Sequence, residues 1–316
     1  MKIGSMFSGV AGLDLAVEAV TGAQPAWFCE YDEAPAKVLA HHWPDVPNHR
    51  DVTTINWEAV EPVDILTAGY PCQPFSNAGH RKGTHDERHL WPHVHNAISH
   101  LRPRLVYLEN VTGHIRLGLE QVLADLTHIG YDTEWTTLRA SDVGAPHHRE
   151  RLFILAYPSG QRLQTQRLTR RPTPQIARDH DRERPLSWAR RATDIANQLG
   201  PQAAAWALNH GDPPLPTVEA VEYRHPELFG HRFPEARHTL NPAFAEWLMG
   251  LPAGWVSNTD IGLTRAQQLK ALGNGVVPTQ AATALTHLLE RTVPAYDEFP
   301  YRKDPHGKHA AKSPSD

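Results

Sequence analysis

Cysteine is scarce in this sequence, since Cys29 and Cys72 are the only two among 316 residues. Two thiols cannot build a disulfide framework for a chain of this length. No CxxC pair is present either, which argues against a structural zinc site. We therefore expect both cysteines to be free thiols in a reducing compartment, the cytoplasm.

Long hydrophobic runs are also lacking. No apolar run approaches the roughly 18 residues needed to span a bilayer, and the amino-terminal MKIGSMFSG lacks the long apolar segment of a secretory signal. A strong positive charge is missing as well, since the formal net charge is -4. These features predict a protein without membrane contact that does not coat nucleic acid over its whole surface. Any contact with DNA or RNA must come from a local patch.

What the chain does contain is enough apolar sequence for a substantial core, with hydrophobic residues making up 40% of it. In the amino-terminal half, short apolar runs alternate with segments of helical spacing. This alternation predicts an α/β fold, with a mostly parallel sheet covered by helices on both faces. The predicted strands are Lys2–Phe7, Ala26–Cys29, Asp64–Ala68, Leu105–Leu108 and Leu152–Ala156.

The character of the sequence changes after Tyr157. From Gly160 to Thr193 arginines are frequent, prolines interrupt and apolar periodicity is poor, which is equally typical of a solvated linker and of a DNA-facing surface. Helix-forming sequence returns at Thr264–Leu269 and at Thr279–Arg291, on either side of the glycine-rich LGNGVVP. The tail after Tyr301 has almost no apolar residues, so we expect it to be disordered.

The first predicted strand runs into a glycine-bearing turn, FSGVAG, at Phe7–Gly12. Glycines at such a bend let the backbone approach a ligand and leave helix amides pointing at it. Glu30 follows about twenty residues on, where dinucleotide-binding folds place an acid for ribose hydroxyls. Asp51 is expected at the mouth of the same crevice. The alternatives are a plain tight turn and a pair of solvated loop acids.

The stretch AGYPCQPFS follows the predicted strand DILTA, so Cys72 is expected at the carboxyl end of the sheet, where ligands of open α/β folds bind. Gly69 permits unusual backbone angles, while Pro71 and Pro74 restrict the loop. A held, exposed thiol fits a nucleophile. Cys29 lies inside an apolar run and is interpreted as a packing residue.

Glu109 is placed at the end of the strand in LVYLENV, beside the same crevice. It can act as a proton donor if burial raises its pKa, or it can cap a helix. Arg149 and Arg151 alternate along an incipient strand, so they are predicted to point the same way. Two parallel guanidinium groups suit a phosphate or a base edge, although isolated arginines are more often surface charges.

Three histidines, His85, His89 and His93, recur at a spacing of four residues. Pro92 interrupts any continuous helix there, and no acidic or thiol ligand accompanies them. We interpret them as polar loop residues and expect no metal.

The order of the motifs resembles the DNA (cytosine-5) methyltransferase family of bacterial or phage type. The resemblance covers Ile3 to about Ile154 and resumes at about Leu240. It implies a Rossmann-like, doubly wound S-adenosylmethionine-dependent methyltransferase fold with a smaller, irregular target-recognition domain. The motifs that carry it are FSGVAG, CEYD, RDV, AGYPCQPFS, ERHLW, LENV, GAPHHRERLF and LGNGVVP.

The resemblance implies a role for each residue that matches a family motif. Cys72 would attack C6 of a flipped cytosine, Glu109 would protonate the ring at N3, and Arg149 and Arg151 would hold the nucleotide. The cofactor, S-adenosyl-L-methionine, would be bound without a metal. The implied cofactor-binding residues are Phe7, Gly9, Gly12, Leu13, Glu30, Tyr31, Asp51, Pro71, Leu90 and Asn274.

The resemblance also implies a division of the chain and a set of partners. The parts are 1–157 and 242–300 for a discontinuous catalytic domain and its hinge, 158–241 for target recognition, and 301–316 for the disordered tail. The segment LNPAFAEWLMGLPAGW is interpreted as an apolar helix packing the lobes together. We expect a monomer that acts on double-stranded DNA. A cognate restriction endonuclease is a further partner that the resemblance allows. His147 departs from the family, where many members have Gln.

Alternatives come from two directions. A transfer RNA cytosine-5 methyltransferase has the same fold, and the arginine-bearing recognition region favours DNA without excluding RNA. A catalytically silent nucleic-acid-binding protein would not need a thiol and an acid at one crevice. A nicotinamide oxidoreductase would explain the glycine turn but not AGYPCQPFS.

Overall fold

The structure is a computed structural model that describes residues 1–71, 90–160, 201–211, 213–214, 217–220 and 237–292. The predicted nucleophile Cys72, the arginine-rich part 161–200 and the tail after Tyr301 lie outside the described residues. Among those described, no helix is long and apolar enough to cross a membrane. No group of His, Cys, Asp and Glu within the same ranges could hold a metal ion.

A six-stranded sheet with the order β2-β1-β3-β4-β6-β5 forms the centre of the molecule. Strands β1 to β4 pair in parallel, while β6 runs antiparallel to both β4 and β5. This confirms the predicted α/β class with a mostly parallel sheet. The strands are β1 (Lys2–Met6), β2 (Gln24–Cys29), β3 (Ile65–Ala68), β4 (Leu105–Val111), β5 (Tyr131–Arg139) and β6 (Glu150–Pro158).

Helices cover both faces of this sheet. The amino-terminal helix α1 (Gly12–Thr21) and the last helix α9 (Pro278–Arg291) pack on one face. Helices α3 (Trp91–Leu101) and α5 (Leu119–His128) pack on the other. The remaining helices are α2 (Glu33–His42), α4 (His114–Leu117), α6 (Pro201–His210), α7 (Pro242–Leu248) and α8 (Arg265–Asn274).

Local sequence sets several helix boundaries. Helix α1 ends at Gly22, whose positive φ of 71° lets its amide reach the Glu18 carbonyl. Helix α2 begins after Asp32, whose side chain accepts a hydrogen bond from the Ala34 amide. Thr264 and Gln267 form a capping box that starts α8.

Several elements differ from the prediction, and the differences in β4, β5 and α8 are the largest. Strand β4 continues past Leu108 to Val111, because Glu109 and Val111 pair with Phe153 and Arg151 of β6. Strand β5 was not predicted, because its sequence YDTEWTTLR is mostly polar and forms an edge of the sheet. Helix α8 extends through the glycine-rich segment to Asn274 instead of ending near Leu269.

Among the described residues of the range 158–241, helix α6 packs into the main body. Trp206 of α6 is 1% exposed and donates a hydrogen bond from its indole to the Trp247 carbonyl of α7 at 2.9 Å. The same hydrophobic cluster includes Val10 and Leu272. A small antiparallel pair, β7 (Thr217–Ala220) and β8 (Arg237–Leu240), is also described within this range.

Candidate active site

The carboxyl ends of the parallel strands bring the predicted site residues to one edge of the sheet. Phe7 follows β1, Glu30 follows β2, Gly69 follows β3 and Glu109 lies near the end of β4. A methyl group placed on Gly69 would lie 3.5 Å from Glu109 Oε2 and 3.7 Å from the Phe7 carbonyl oxygen. Gly69 does not have a positive φ, so the left-handed conformation that a glycine permits is not used here. Its lack of a side chain instead keeps the space beside Glu109 open.

Glu109 is paired with Arg151. Its Oε1 lies 2.9 Å from Arg151 Nε, and the two side chains are only 12% and 17% exposed. Burial raises the pKa of the Glu109 carboxyl, and the positive charges of Arg151 and Arg149 partly oppose this rise. A largely buried carboxyl with a raised pKa, held in a fixed orientation, can donate a proton to a ligand at this edge.

The chain that leads from β3 to Cys72 is anchored by residues that sequence reasoning missed. Tyr70 is 4% exposed, and its hydroxyl lies 2.9 Å from His114 Nε2. Asn110 donates from its side-chain amide to the Tyr70 carbonyl at 3.2 Å. The signal for Asn110 was its position inside the LENV motif, next to Glu109. Pro71, which follows Tyr70 directly, is exposed.

The turn after β1 is built around left-handed backbone. Phe7, Gly9 and Ala11 have φ angles of 52°, 55° and 65°. Glu30 holds this turn in place, since its Oε2 accepts from the Gly9 amide and its Oε1 from the Asp32 amide, both at 2.8 Å. Desolvation raises the pKa of this carboxyl, which is only 8% exposed as a residue. Each Glu30 oxygen keeps a second lone pair for a ligand hydroxyl.

The remaining predicted cofactor residues differ in their exposure and in their contacts. Tyr31 is 73% exposed beside Glu30, and Asn274 is exposed at the end of α8. Asp51 accepts from the amide and hydroxyl of Thr53 at 2.9 and 2.7 Å, and the pKa of its carboxyl is lowered by these bonds. Leu90 is half-buried and caps helix α3.

Gly12 and Leu13 lie against the returning carboxyl-terminal segment. A methyl group on Gly12 would be 2.2 Å from the Val276 carbonyl oxygen, and Leu13 packs in the cluster that contains α9. A methyl group on Gly9, in contrast, would meet nothing within 4 Å. The open cradle at Gly9, with the buried acid beneath it, fits a nucleoside whose ribose hydroxyls bind a carboxylate.

The two arginines contact different groups. Arg149 lies just before β6 with a φ of 20°, so the expected alternation along one strand was wrong. Its Nη2 donates to the carbonyls of Gly273 and Gly275, at 2.9 and 2.5 Å. The structure therefore brings Arg151 to Glu109 and Arg149 to the backbone on both sides of Asn274.

His147, the departure from the family pattern, joins this region to α7. Its Nε2 lies 2.9 Å from the Leu248 carbonyl. Burial lowers the pKa of the imidazole, so the ring is neutral at physiological pH and can donate one hydrogen bond to that carbonyl. A neutral His147 can thus serve as a structural tie.

A hydrogen-bonded network lies beneath the turn, and its members are hydroxyls and one acid that sequence reasoning did not single out. Asp14 is fully buried, accepts from Thr67 Oγ1 at 2.6 Å and lies 2.8 Å from Ser5 Oγ. Ser5 Oγ is in turn 2.8 Å from Ser8 Oγ. This network links the turn after β1 to the strand that leads to Cys72.

A second set of contacts ties the carboxyl-terminal loop to the same turn. The indole of Trp255 donates to the Val10 carbonyl at 2.9 Å and stacks on His42 with ring centres 3.6 Å apart. Glu246 of α7 is 1% exposed and accepts from the amides of Gly254, Val256 and Ser257. The buried carboxylate thus shapes the loop that presents Trp255.

Comparison with known proteins finds a matching family model and several similar proteins. The model of the family described as C-5 cytosine-specific DNA methylase matches residues 1–210. The type II methyltransferase M.CviJI of Paramecium bursaria Chlorella virus IL3A is 36% identical over 155 residues, which are 48% of this chain and 41% of that protein. M.Bsp6I of Bacillus sp. (strain RFL6) is 33% identical over 164 residues, 50% of this chain and 52% of that protein. The matches thus span about half the length of these relatives.

Solved structures share the fold. The Dnmt2 methyltransferase of S. pombe superposes with a TM-score of 0.59 at 17% sequence identity, covering 92% of this chain and 99% of that one. At this identity the likeness establishes the fold alone. It agrees with the predicted Rossmann-like methyltransferase architecture.

Proposed function

Because the chain belongs to the C-5 cytosine-specific DNA methylase family, we propose that it transfers a methyl group from S-adenosylmethionine to C5 of a cytosine in double-stranded DNA. The observation that carries this proposal is Glu109, held by Arg151 at 2.9 Å beside the strand that leads to Cys72. An acid and a thiol at one sheet edge are what addition to a cytosine ring requires.

The residues divide the reaction into two easier steps. The Cys72 thiolate adds to C6, and the displaced electron pair of the ring moves toward N3, where Glu109 delivers a proton. C5 thereby gains the character of an enamine carbon. After methylation, which leaves S-adenosylhomocysteine, solvent accepts the C5 proton and the N3 proton returns to the Glu109 carboxylate. The C5–C6 double bond is thereby restored and the thiolate is expelled, so Cys72 is regenerated. The cytosine has to be flipped out of the duplex, because C6 is not accessible inside the stack.

The cofactor is assigned to the crevice between the turn at Gly9 and the ends of β1 and β2. When bound, it supplies an electrophilic methyl group that C5 accepts. Glu30 would bind the ribose hydroxyls, and the exposed Tyr31 ring would cover the adenine. Asp51 and Asn274 would complete the pocket, with Phe7, Pro71 and Leu90 along its wall.

Target recognition is assigned to the range 158–241, whose arginines supply local cations for phosphates in a chain of net charge -4. Double-stranded DNA is favoured over transfer RNA because the matching family model is that of a DNA methylase and the two relatives above are type II methyltransferases. A monomer is proposed, with a cognate endonuclease as a partner in restriction and modification.

Expression in cells followed by bisulfite sequencing of plasmid DNA tests the activity, the substrate and the site together. We expect methylated cytosines in one short sequence context. Transfer RNA from the same cells, treated in the same way, should show no more C5 methylation than transfer RNA from cells without the protein. Methylation of transfer RNA alone would refute the DNA assignment.

Replacement of the thiol tests the nucleophile. Cys72→Ala should abolish methylation, while S-adenosylhomocysteine binding, measured by calorimetry, should stay within a few-fold of the wild type. Cys29→Ala is the matched control, because Cys29 is a buried thiol, 2% exposed, whose pKa is raised to about 12 by burial. Normal methylation by Cys72→Ala would rule out the covalent route.

A further inference from the structure

The Arg149 side chain joins two segments that are far apart in sequence. Its Nη2 donates to the carbonyls of Gly273 and Gly275, which flank Asn274 and lie 124 and 126 residues away along the chain. The guanidinium thus binds the two peptide groups on either side of one exposed side chain. Carbonyls in the last turn of a helix carry partial negative charge, which favours a cation at this position.

The backbone of Arg149 is tied to the same returning segment. Gln280, a fully buried residue of α9, donates from its side-chain amide to the carbonyls of Arg149 and Leu138 at 2.8 and 2.7 Å. Arg149 therefore contacts the segment 273–280 through both its side chain and its main chain. Burial and the charge of Arg151 lower the pKa of its guanidinium to about 10, so the group stays charged at neutral pH.

The two glycines differ in their packing, since Gly275 is buried beside Val10 and Gly273 is exposed. A methyl group placed on Gly273 would meet nothing within 4 Å, so no side-chain packing restrains that residue. Glycine also has the greatest backbone freedom of any residue. Without a fixed partner for the two carbonyls, the direction of the Asn274 side chain would vary.

We propose that Arg149 is a positioning residue for the cofactor side of the site, acting through Asn274, while Arg151 is the arginine that contacts Glu109 on the nucleotide side. This inference rests on the proposed function, because it takes Asn274 as a cofactor contact. It separates two arginines that the sequence pattern treats as one pair.

Calorimetric titration with S-adenosylhomocysteine tests the assignment. Arg149→Met, which keeps the length of the side chain and removes its donors, should weaken binding by up to about ten-fold, the loss expected when the one hydrogen bond assigned to Asn274 is misplaced. Arg151→Met should bind the ligand within about two-fold of the wild type. Arg104→Met is the matched control, because Arg104 is exposed and precedes β4 at the opposite edge of the sheet.

The nucleotide side needs its own measurement. Fluorescence of 2-aminopurine at the target position of a duplex, in the sequence found by bisulfite mapping, reports flipping. Arg149→Met should give a signal within about two-fold of the wild type, and Arg151→Met should lose most of it. Loss of flipping with unchanged ligand binding in Arg149→Met would overturn the proposal.

A double-mutant cycle shows whether Arg149 acts through Asn274. If it does, Arg149→Met combined with Asn274→Ala should bind the ligand no more weakly than Asn274→Ala alone. Additive losses would overturn the proposal. Arg149→Lys, which keeps the charge, should bind S-adenosylhomocysteine more tightly than Arg149→Met and more weakly than the wild type. If Arg149→Met does not fold, the same titrations are made with Arg149→Lys. A wild-type chain that binds no ligand would instead refute the proposed function.

Discussion

Two carboxyl groups, those of Glu109 and Asp14, lie at the sheet in different surroundings. Glu109 faces Arg151 and the crevice, so its negative charge can be stabilised when its proton has been given away. Asp14 is surrounded by the hydroxyls of Ser5 and Thr67, and no cation contributes to its pKa, which desolvation raises to about 6. The same functional group is therefore suited to proton transfer in one place and to structural support in the other.

Substitution of Glu109 should affect catalysis more than folding. We expect Glu109→Gln to lower the single-turnover methylation rate by about 10²- to 10⁴-fold, the usual contribution of a general acid, because an amide cannot deliver a proton to N3. Tritium transfer from labelled S-adenosylmethionine measures this rate. Glu120→Gln, at an exposed position of α5, should retain the wild-type rate, and an active Glu109→Gln would exclude the acid role.

Substitution of Asp14 should change how stability depends on pH. Its pKa is about 6 in the folded protein against a model-peptide value of 3.8, so folding favours the protonated acid. The contribution of Asp14 to the free energy of unfolding should fall by about 3 kcal/mol as pH rises from about 4 to 6. Asn imitates the protonated acid, because its amide can donate to Ser5 and its oxygen can accept from Thr67.

We therefore expect Asp14→Asn to gain stability over the wild type between pH 4 and 7, measured by urea unfolding at each pH. Parallel curves for the two proteins would contradict this expectation. Glu18, one turn further along α1, has its pKa raised to about 7, first by desolvation and then by Asp14. The variant Glu18→Gln, measured in the same way, separates the contribution of Glu18 to the pH dependence of stability from that of Asp14.

At the scale of elements, the returning segment and α9 pack against elements from the amino-terminal part of the chain. Helix α9 packs on the same face of the sheet as α1, and the Tyr107 hydroxyl of β4 donates to the Ala281 carbonyl of α9 at 2.6 Å. The backbone at Val276 lies directly against the start of α1. The close approach is possible because residue 12 is a glycine.

Gly12→Ala should therefore destabilise the fold. The added methyl group would lie 2.2 Å from the Val276 carbonyl oxygen, and overpacking of this kind costs about 1–3 kcal/mol. Gly113→Ala is the matched control, since its φ is -57° and a methyl group there would meet nothing within 4 Å. The urea concentration at the unfolding midpoint should fall for Gly12→Ala only. Equal midpoints for the two variants would show that the backbone at Val276 can move away from residue 12 without loss of stability.

At the scale of the whole molecule, the proposed recognition region and the proposed catalytic domain share helix α6. Trp206 is buried against Trp247 and Gly250, where a methyl group would approach its ring to 2.8 Å. This helix lies inside the range 158–241, yet its cluster also contains Val10 of the turn after β1. A replaceable recognition unit should therefore exclude 201–211.

Exchange of the recognition region tests this division. A chimera that takes 158–200 and 212–241 from a relative of different specificity, and keeps 201–211, should fold and methylate the donor's sequence. Replacing 201–211 with unrelated sequence as well should lower Tm, because removal of a buried Trp costs about 3–5 kcal/mol. Bisulfite mapping and thermal melts measure the two effects, and unchanged specificity in the first chimera would refute the recognition role.

Much of the site followed from local sequence. The alternation of apolar runs and helical spacing predicted a parallel sheet, and strands of such a sheet end at one edge. Phe7, Glu30, Gly69 and Glu109 could therefore be assigned to one crevice before any contact was known. The end of α1 at Gly22 is likewise a local feature, because a left-handed cap is a property of a few adjacent residues.

The sequence by itself thus determined the fold class, the family and the edge of the sheet where the chemistry is placed, since each depends on short-range patterns. Only the tertiary structure decided the partners of those residues. Arg149 and Arg151 look equivalent in HHRERLF, yet one binds carbonyls of a segment 124 residues away and the other binds Glu109. Such contacts depend on how distant segments pack, and no local pattern encodes the direction of a side chain across that distance.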